Sequence, residues 1–162
     1  MITNMQATIS KDLANKKILT VKEFEAPVEK VWEAWTDKDI LDKWWAPKPW
    51  KARTKSMDFR ENGFWLYCMV GPDGTESWAR VEYISIVTGK KFIAMDSFCD
   101  EIGNKNPDFP TMHWKNEFIQ TDGGTRVEVE ITFSSEDDFK KILEMGFEEG
   151  FTSALGNLDE LL

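Results

Sequence analysis

The side chains able to do acid–base work are those that interrupt apolar strand runs: Asp58 with Arg60, Arg80 with Glu82, and Asp96. Asp96 stands between Met95 and Ser97 in a hydrophobic strand. Burial there would raise its carboxyl pKa toward useful values, while a partner such as Arg80 would hold it charged. A carboxylate at the rim, or paired for structural reasons, is the bland alternative. Asp58 and Arg60, two residues apart on one face, fit an ordinary surface ion pair. His113, the single histidine, sits among charged neighbours as a solvated residue does. One histidine and two distant cysteines, Cys68 and Cys99, supply no recognisable metal-ligand spacing. Nucleophile-elbow, phosphate-loop and dinucleotide motifs are absent from the sequence.

The aromatic residues speak for binding more than for catalysis. Eight tryptophans and eleven phenylalanines are a heavy load for 162 residues, and such rings wall both cores and ligand cavities. Trp65, Tyr67, Trp78, Phe98, Trp114, Phe147 and Phe151 are expected to share one interior, with Arg80 and Asp96 as its polar points. Such a set of rings fits a ligand-sized cavity and a filled core alike.

What must position these residues is a long amphipathic segment at the end of the chain. From Ser135 to Leu162, apolar and small residues recur every three or four positions, which predicts one continuous helix. Ser135 with Asp138 reads as its capping box. Gly146, Gly150 and Ala154 lie one turn apart inside the stripe, although each glycine costs a helix roughly 1 kcal/mol relative to alanine. Either the helix backbone packs closely on a sheet, or the missing side chains leave room for a ligand.

The preceding chain supplies that sheet. Residues 1–15 are polar and without sustained period, a tail or an irregular edge segment; residues 16–162 form one domain. Lys17 to Glu25 alternates as a strand, and Val28, Val31, Trp32 and Trp35 form a short helix after Pro27. Thr36 with Asp39 signals a second helix through Ile40, Leu41, Trp44 and Trp45. Strands follow over Trp50–Asn62, Phe64–Val70, Ser77–Val87, Lys91–Asp100, Met112–Thr121 and Thr125–Ser134, separated by turn sequences such as Pro72-Asp73-Gly74 and Asp122-Gly123-Gly124. With a two-residue loop in the last hairpin, Trp114, Asn116 and Phe118 share the buried face with Val127, Val129 and Ile131. The predicted class is α+β: a curved antiparallel sheet of six to seven strands around a C-terminal helix, with two short helices after the first strand.

Composition narrows the functional classes. A net charge of −9 without an uninterrupted Lys/Arg cluster argues against nucleic acid. No apolar run approaches the roughly 20 residues that a bilayer span needs. The Met1 start lacks a secretion signal, so the expected setting is the cytoplasm with both cysteines as free thiols.

The element order, with Trp32-x-Ala34-Trp35-Thr36-Asp37 running into Leu41-x-x-Trp44-Trp45-Ala46-Pro47, resembles the START-like (SRPBCC, helix-grip) superfamily. Within it, the chain looks like the family named after the activator of heat shock protein 90 ATPase. Asp58-Phe59-Arg60 followed by Gly63, Gly71-Pro72-Asp73-Gly74, and the closing Gly146, Phe147, Leu155, Leu158, Leu161 pattern carry the same likeness. Asn62 departs from it, standing where relatives often have a second glycine. The eukaryotic activators add a chaperone-contacting N-terminal domain, for which this chain is too short.

The resemblance implies a cavity between the last helix and the sheet that takes a small hydrophobic or lipid-like ligand; the first reading is non-catalytic binding there, without a cofactor. Two rivals stand beside it. One is a cyclase- or dehydratase-like enzyme on a polyketide or aromatic substrate, with Asp96 or Arg80 as polar actors. The other is a protein that contacts a chaperone or regulator through its acidic surface and an exposed Trp44-Trp45-Ala46-Pro47 segment. The sequence is silent on oligomeric state.

Overall fold

Side-chain alternation decides which face each strand buries, and here it builds one sheet. A computed structural model of the chain describes residues 6–162. These form β1 (Thr8–Asp12), β2 (Lys17–Phe24), α1 (Val28–Thr36), α2 (Lys38–Trp44), β3 (Lys51–Met57), β4 (Phe64–Val70), β5 (Glu76–Val87), β6 (Lys91–Cys99), β7 (Met112–Thr121), β8 (Gly124–Thr132), α3 (Glu136–Glu144) and α4 (Phe147–Leu161). The strands make a single antiparallel sheet in the order β1-β2-β8-β7-β6-β5-β4-β3. The class is the expected α+β helix-grip, with eight strands among the described residues rather than six or seven.

The additional strand is β1, which pairs with β2 from Thr8↔Val21 to Asp12↔Lys17 at the sheet edge. None of its five residues is fully buried, so it has no apolar face and no period to read. Of the segment taken as a tail or edge, residues 1–5 lie outside the described residues and 8–12 are this strand. The β7–β8 hairpin has the expected register, with Trp114↔Ile131, Asn116↔Val129 and Phe118↔Val127. Thr121 pairs with Gly124 across the two-residue loop Asp122-Gly123, and the loop length fixes that register.

The helices hold two corrections. The cap of α2 is not Thr36. Helix α1 runs through Thr36, whose hydroxyl donates back to the Trp32 carbonyl at 3.0 Å, as helical Thr does. Asp37 caps instead, accepting from the Asp39 and Ile40 amides at 2.8 and 3.3 Å.

The terminal segment is two helices, not one. Ser135 caps α3 as expected, its hydroxyl accepting from the Asp138 amide at 3.1 Å. The chain then turns at Gly146, φ +86°, before α4 begins at Phe147. A left-handed residue ends a helix, and glycine enters that region without the steric cost of a Cβ. The apolar stripe continues across the break, through Phe139 and Ile142 in α3 and Phe151, Ala154, Leu155 and Leu158 in α4. The sheet still grips the longer second half.

Polar ties hold α4 in place. Lys22, 3% exposed on β2, bonds Asp159 at 3.0 Å. The buried Asn157 amide donates to the carbonyls of Ala46 at 3.0 Å and Trp44 at 3.4 Å. These contacts bind the helix to the sheet on one side and to the loop after α2 on the other.

Candidate functional site

The concave face of the sheet does not close completely against the helices. Under the α3–α4 elbow lies a cavity of about 240 Å³. Its floor is Tyr67 and Met69 from β4, Ala79 from β5, Asp96 and Phe98 from β6, and Met112 and Trp114 from β7. Ile142 from α3 and Gly146, Phe147, Gly150 and Phe151 at the elbow form the roof, with Trp45 and Pro47 closing one side. Behind it, a smaller space of about 30 Å³ shares the walls Trp45, Asp96 and Trp114 and adds Trp65, Tyr83 and Asn116. A third space of about 460 Å³, beside Lys90, Lys91 and Gln120 at the far edge, is lined largely by solvent-exposed or half-buried residues.

The walls are an aromatic cluster. Trp114 lies edge-on to Phe151 at 5.5 Å between centroids and to Phe147 at 6.0 Å, with Trp45 at 5.8 Å. Trp65 stacks on Tyr67 at 4.0 Å. The Trp45 indole N–H donates to the Tyr67 hydroxyl at 2.8 Å, and Trp65 donates to Thr54 Oγ1 at 2.9 Å. These bonds lock three rings in orientation.

Asp96 sits among them, 7% exposed. Burial pushes its carboxyl up to about 7, with neither a hydrogen bond nor a cation among the described residues to offset that rise. Burial, reinforced by Asp96, also raises the Tyr67 and Tyr83 phenols, and burial moves the Cys99 thiol up to about 11. At pH 7 the floor therefore holds neutral phenols around a carboxyl near its midpoint. Two more buried polar atoms, Trp114 Nε1 and Asn116 Oδ1, have no hydrogen-bond partner among the described residues.

Of the residues expected to share this interior, Tyr67, Asp96, Phe98, Trp114, Phe147 and Phe151 line the cavity. Trp65 is one layer behind, against the smaller space. Trp78 and Arg80 are elsewhere. Strand β5 buries Ala79, Val81 and Tyr83, so Trp78 and Arg80 fall on the opposite face by the period of two. There Trp78 meets Lys55 and Glu76, and Arg80 contacts Glu82 at 3.2 Å, the Gly103 carbonyl at 3.2 Å and the Phe64 ring. Val81, not Arg80, pairs with Asp96 across the strands, and the anticipated Asp96–Arg80 pair does not form.

The sequence reading also misplaced Trp44-Trp45-Ala46-Pro47, which is no exposed segment. Trp44 is 0% exposed, its indole donating to the Ala34 carbonyl at 2.9 Å, and Ala46 is 5% exposed. Trp45, Met69, Ala79, Met112 and Ile142 were missed as lining. The paired tryptophans were the available signal for the first, since two adjacent indoles flanked by Leu41 and Ala46 need apolar surroundings. Asp58 and Arg60 form the surface pair at 2.6 Å, and His113 is exposed. Cys68 and Cys99 are free thiols, the first buried and the second half-buried. Among the described residues, no group of three or more potential ligands is placed to hold a metal ion, and no helix is long and apolar enough to cross a membrane.

A curved antiparallel sheet gripping a C-terminal helix over an apolar cavity defines a START-like helix-grip domain. Residues 25–162 match the family described as Activator of Hsp90 ATPase homolog 1-like protein, and the chain belongs to that family. It is similar to a crystal structure of a protein from Mycobacterium smegmatis, at 33% identity and TM-score 0.89, over 96% of both chains. It is likewise similar to a solution structure from Arthrobacter aurescens, at 32% identity and TM-score 0.89, over 94% of this chain and 88% of that one. A protein from Nitrosomonas europaea shares 27% identity at TM-score 0.81, over 92% and 95%. No curated protein matches the chain. Family and fold together support a ligand-binding or helper-protein role.

Proposed function

We propose that the protein binds a small hydrophobic ligand in the cavity beneath the α3–α4 elbow and does not transform it. The observation that carries this reading is the aromatic-walled space of about 240 Å³. An apolar cavity of about 150 Å³ is enough for a benzene ring, so this one suits a substituted ring or a short acyl chain. Small residues at Ala79, Gly146 and Gly150 leave that volume open where larger side chains would fill it. Free Cys68 and Cys99 support a cytoplasmic setting.

The enzymatic alternative rests on Asp96 or Arg80 as polar actor; Arg80 lies on the other face of the sheet, and Asp96 is the one of the two that lines the cavity. The chaperone-contact alternative needs an exposed Trp44–Pro47 segment, and Trp44 and Ala46 are packed inside. Thermal-shift titration with substituted benzenes and short fatty acids tests the proposal. A ligand at a hundred times its Kd stabilises the fold by about 2.7 kcal/mol, which raises Tm by about 5–10 °C for a chain of this length. Absence of a saturable shift with every compound overturns it.

A further inference from the structure

The cavity is polarised toward one sign of charge. Among the described residues, Asp96 is its only acid or base other than the Tyr67 phenol, and no Lys, Arg or His lines it. The titratable groups facing Asp96 are Tyr67 from β4 and Tyr83 from β5, both proton-bearing at neutral pH, while Cys99, paired with Trp78, lies on the opposite face of the sheet. Strand β7 contributes Met112, Trp114 and Asn116, and the elbow contributes only apolar side chains and glycine. The carboxyl is thus nine-tenths buried, aimed into the cavity and without a cation of its own. Around it stand the rings of Trp45, Tyr67 and Trp114. Aromatic faces attract cations, most strongly when both are removed from water. A desolvated carboxylate and a desolvated ammonium each carry a large penalty alone and relieve it together. The chain's net charge of −9 favours the approach of cations as well.

We propose that the ligand is an amine: an apolar or aromatic body bearing one protonated nitrogen that pairs with the Asp96 carboxylate and lies against Trp45, Tyr67 and Trp114. This rests on the ligand-binding reading above and narrows it to a chemical class.

The test titrates the whole protein with 2-phenylethylamine and with propylbenzene, its neutral isostere, from pH 5.5 to 8.5, in wild type and Asp96→Asn, followed by tryptophan fluorescence. Propylbenzene reports on the cavity alone. At pH 8.5 the amine binds wild type at least about tenfold tighter than propylbenzene. Below neutrality its affinity falls about tenfold per pH unit, because the bound state must release the Asp96 proton. Asp96→Asn loses both the advantage and the pH dependence while still binding propylbenzene, which also shows that the variant is folded; if it is not, the wild-type pH profile decides. Propylbenzene binding without an amine advantage at pH 8.5 overturns the amine assignment and leaves the hydrophobic-ligand reading standing. Failure of both probes in wild type removes both.

Discussion

Replacing Asp96 by asparagine keeps the shape of the cavity floor and removes its one titrating carboxyl. Burial lifts that carboxyl from 3.8 to about 7, and each pH unit of separation between folded and unfolded states corresponds to about 1.4 kcal/mol. The separation therefore amounts to about 4 kcal/mol. Below about pH 4 both states carry the proton and nothing is lost. Between about pH 4 and 7 the folded chain holds a proton that the unfolded chain has released, so stability falls as pH rises. Above about pH 7 both states are ionised, and the full loss persists. Asp96→Asn has no such slope, whatever constant offset its buried amide brings. In urea unfolding at pH 4.5, 6, 7 and 8.5, the variant should gain on wild type by about 3 kcal/mol between the two ends of the range, or roughly 6–12 °C in Tm. A difference between the two proteins that stays constant over that range refutes the placement of Asp96 as an unpaired buried carboxyl.

Substitutions at the two elbow glycines should move stability in opposite directions. Gly146→Ala keeps a left-handed φ of +86° in open space, with Glu149 Oε2 the nearest atom at 3.9 Å, so the backbone alone costs about 1–2 kcal/mol. Gly150→Ala places a methyl at an ordinary 3.7 Å from Pro47 Cγ and should gain up to about 1 kcal/mol from helix propensity; urea melts of both variants decide. Lys22→Met leaves Asp159 nearly buried without its partner, an expected loss of about 3 kcal/mol that Lys22→Met with Asp159→Leu largely restores. Tyr67→Phe removes the acceptor of the Trp45 indole, lowering stability by about 1–2 kcal/mol and changing the tryptophan emission near the cavity.

Period two made most of the sheet legible. In β8, Val127, Val129 and Ile131 alternate with charged residues, and the Asp122-Gly123 loop then fixes which face of β7 carries Trp114. The same rule left Arg80 and Asp96 ambiguous: a single strand's pattern does not say which residue it faces next door. Only the Val81↔Asp96 pairing shows that the two charged side chains lie on opposite sides of the sheet. The elbow at Gly146 was hidden for a related reason. Apolar residues recur at helical spacing on both sides of it, and the break resides in one φ angle rather than in the spacing. The spaced glycines did mark a place kept free of side chains, since Gly146 and Gly150 line the cavity. Asn62 gives the converse case. Its φ of +69° lies in the left-handed region, which glycine enters freely and asparagine tolerates better than most other residues.

The most direct measurement of the central claim is a propylbenzene titration read by the fluorescence of Trp45 and Trp114, in wild type and in Ala79→Phe. Ala79 lies on the cavity floor, and a phenyl ring there fills the space from below. A saturable change in wild type that disappears in a cooperatively folded Ala79→Phe is the predicted result. Equal responses from the two proteins, or no response from wild type, would contradict it.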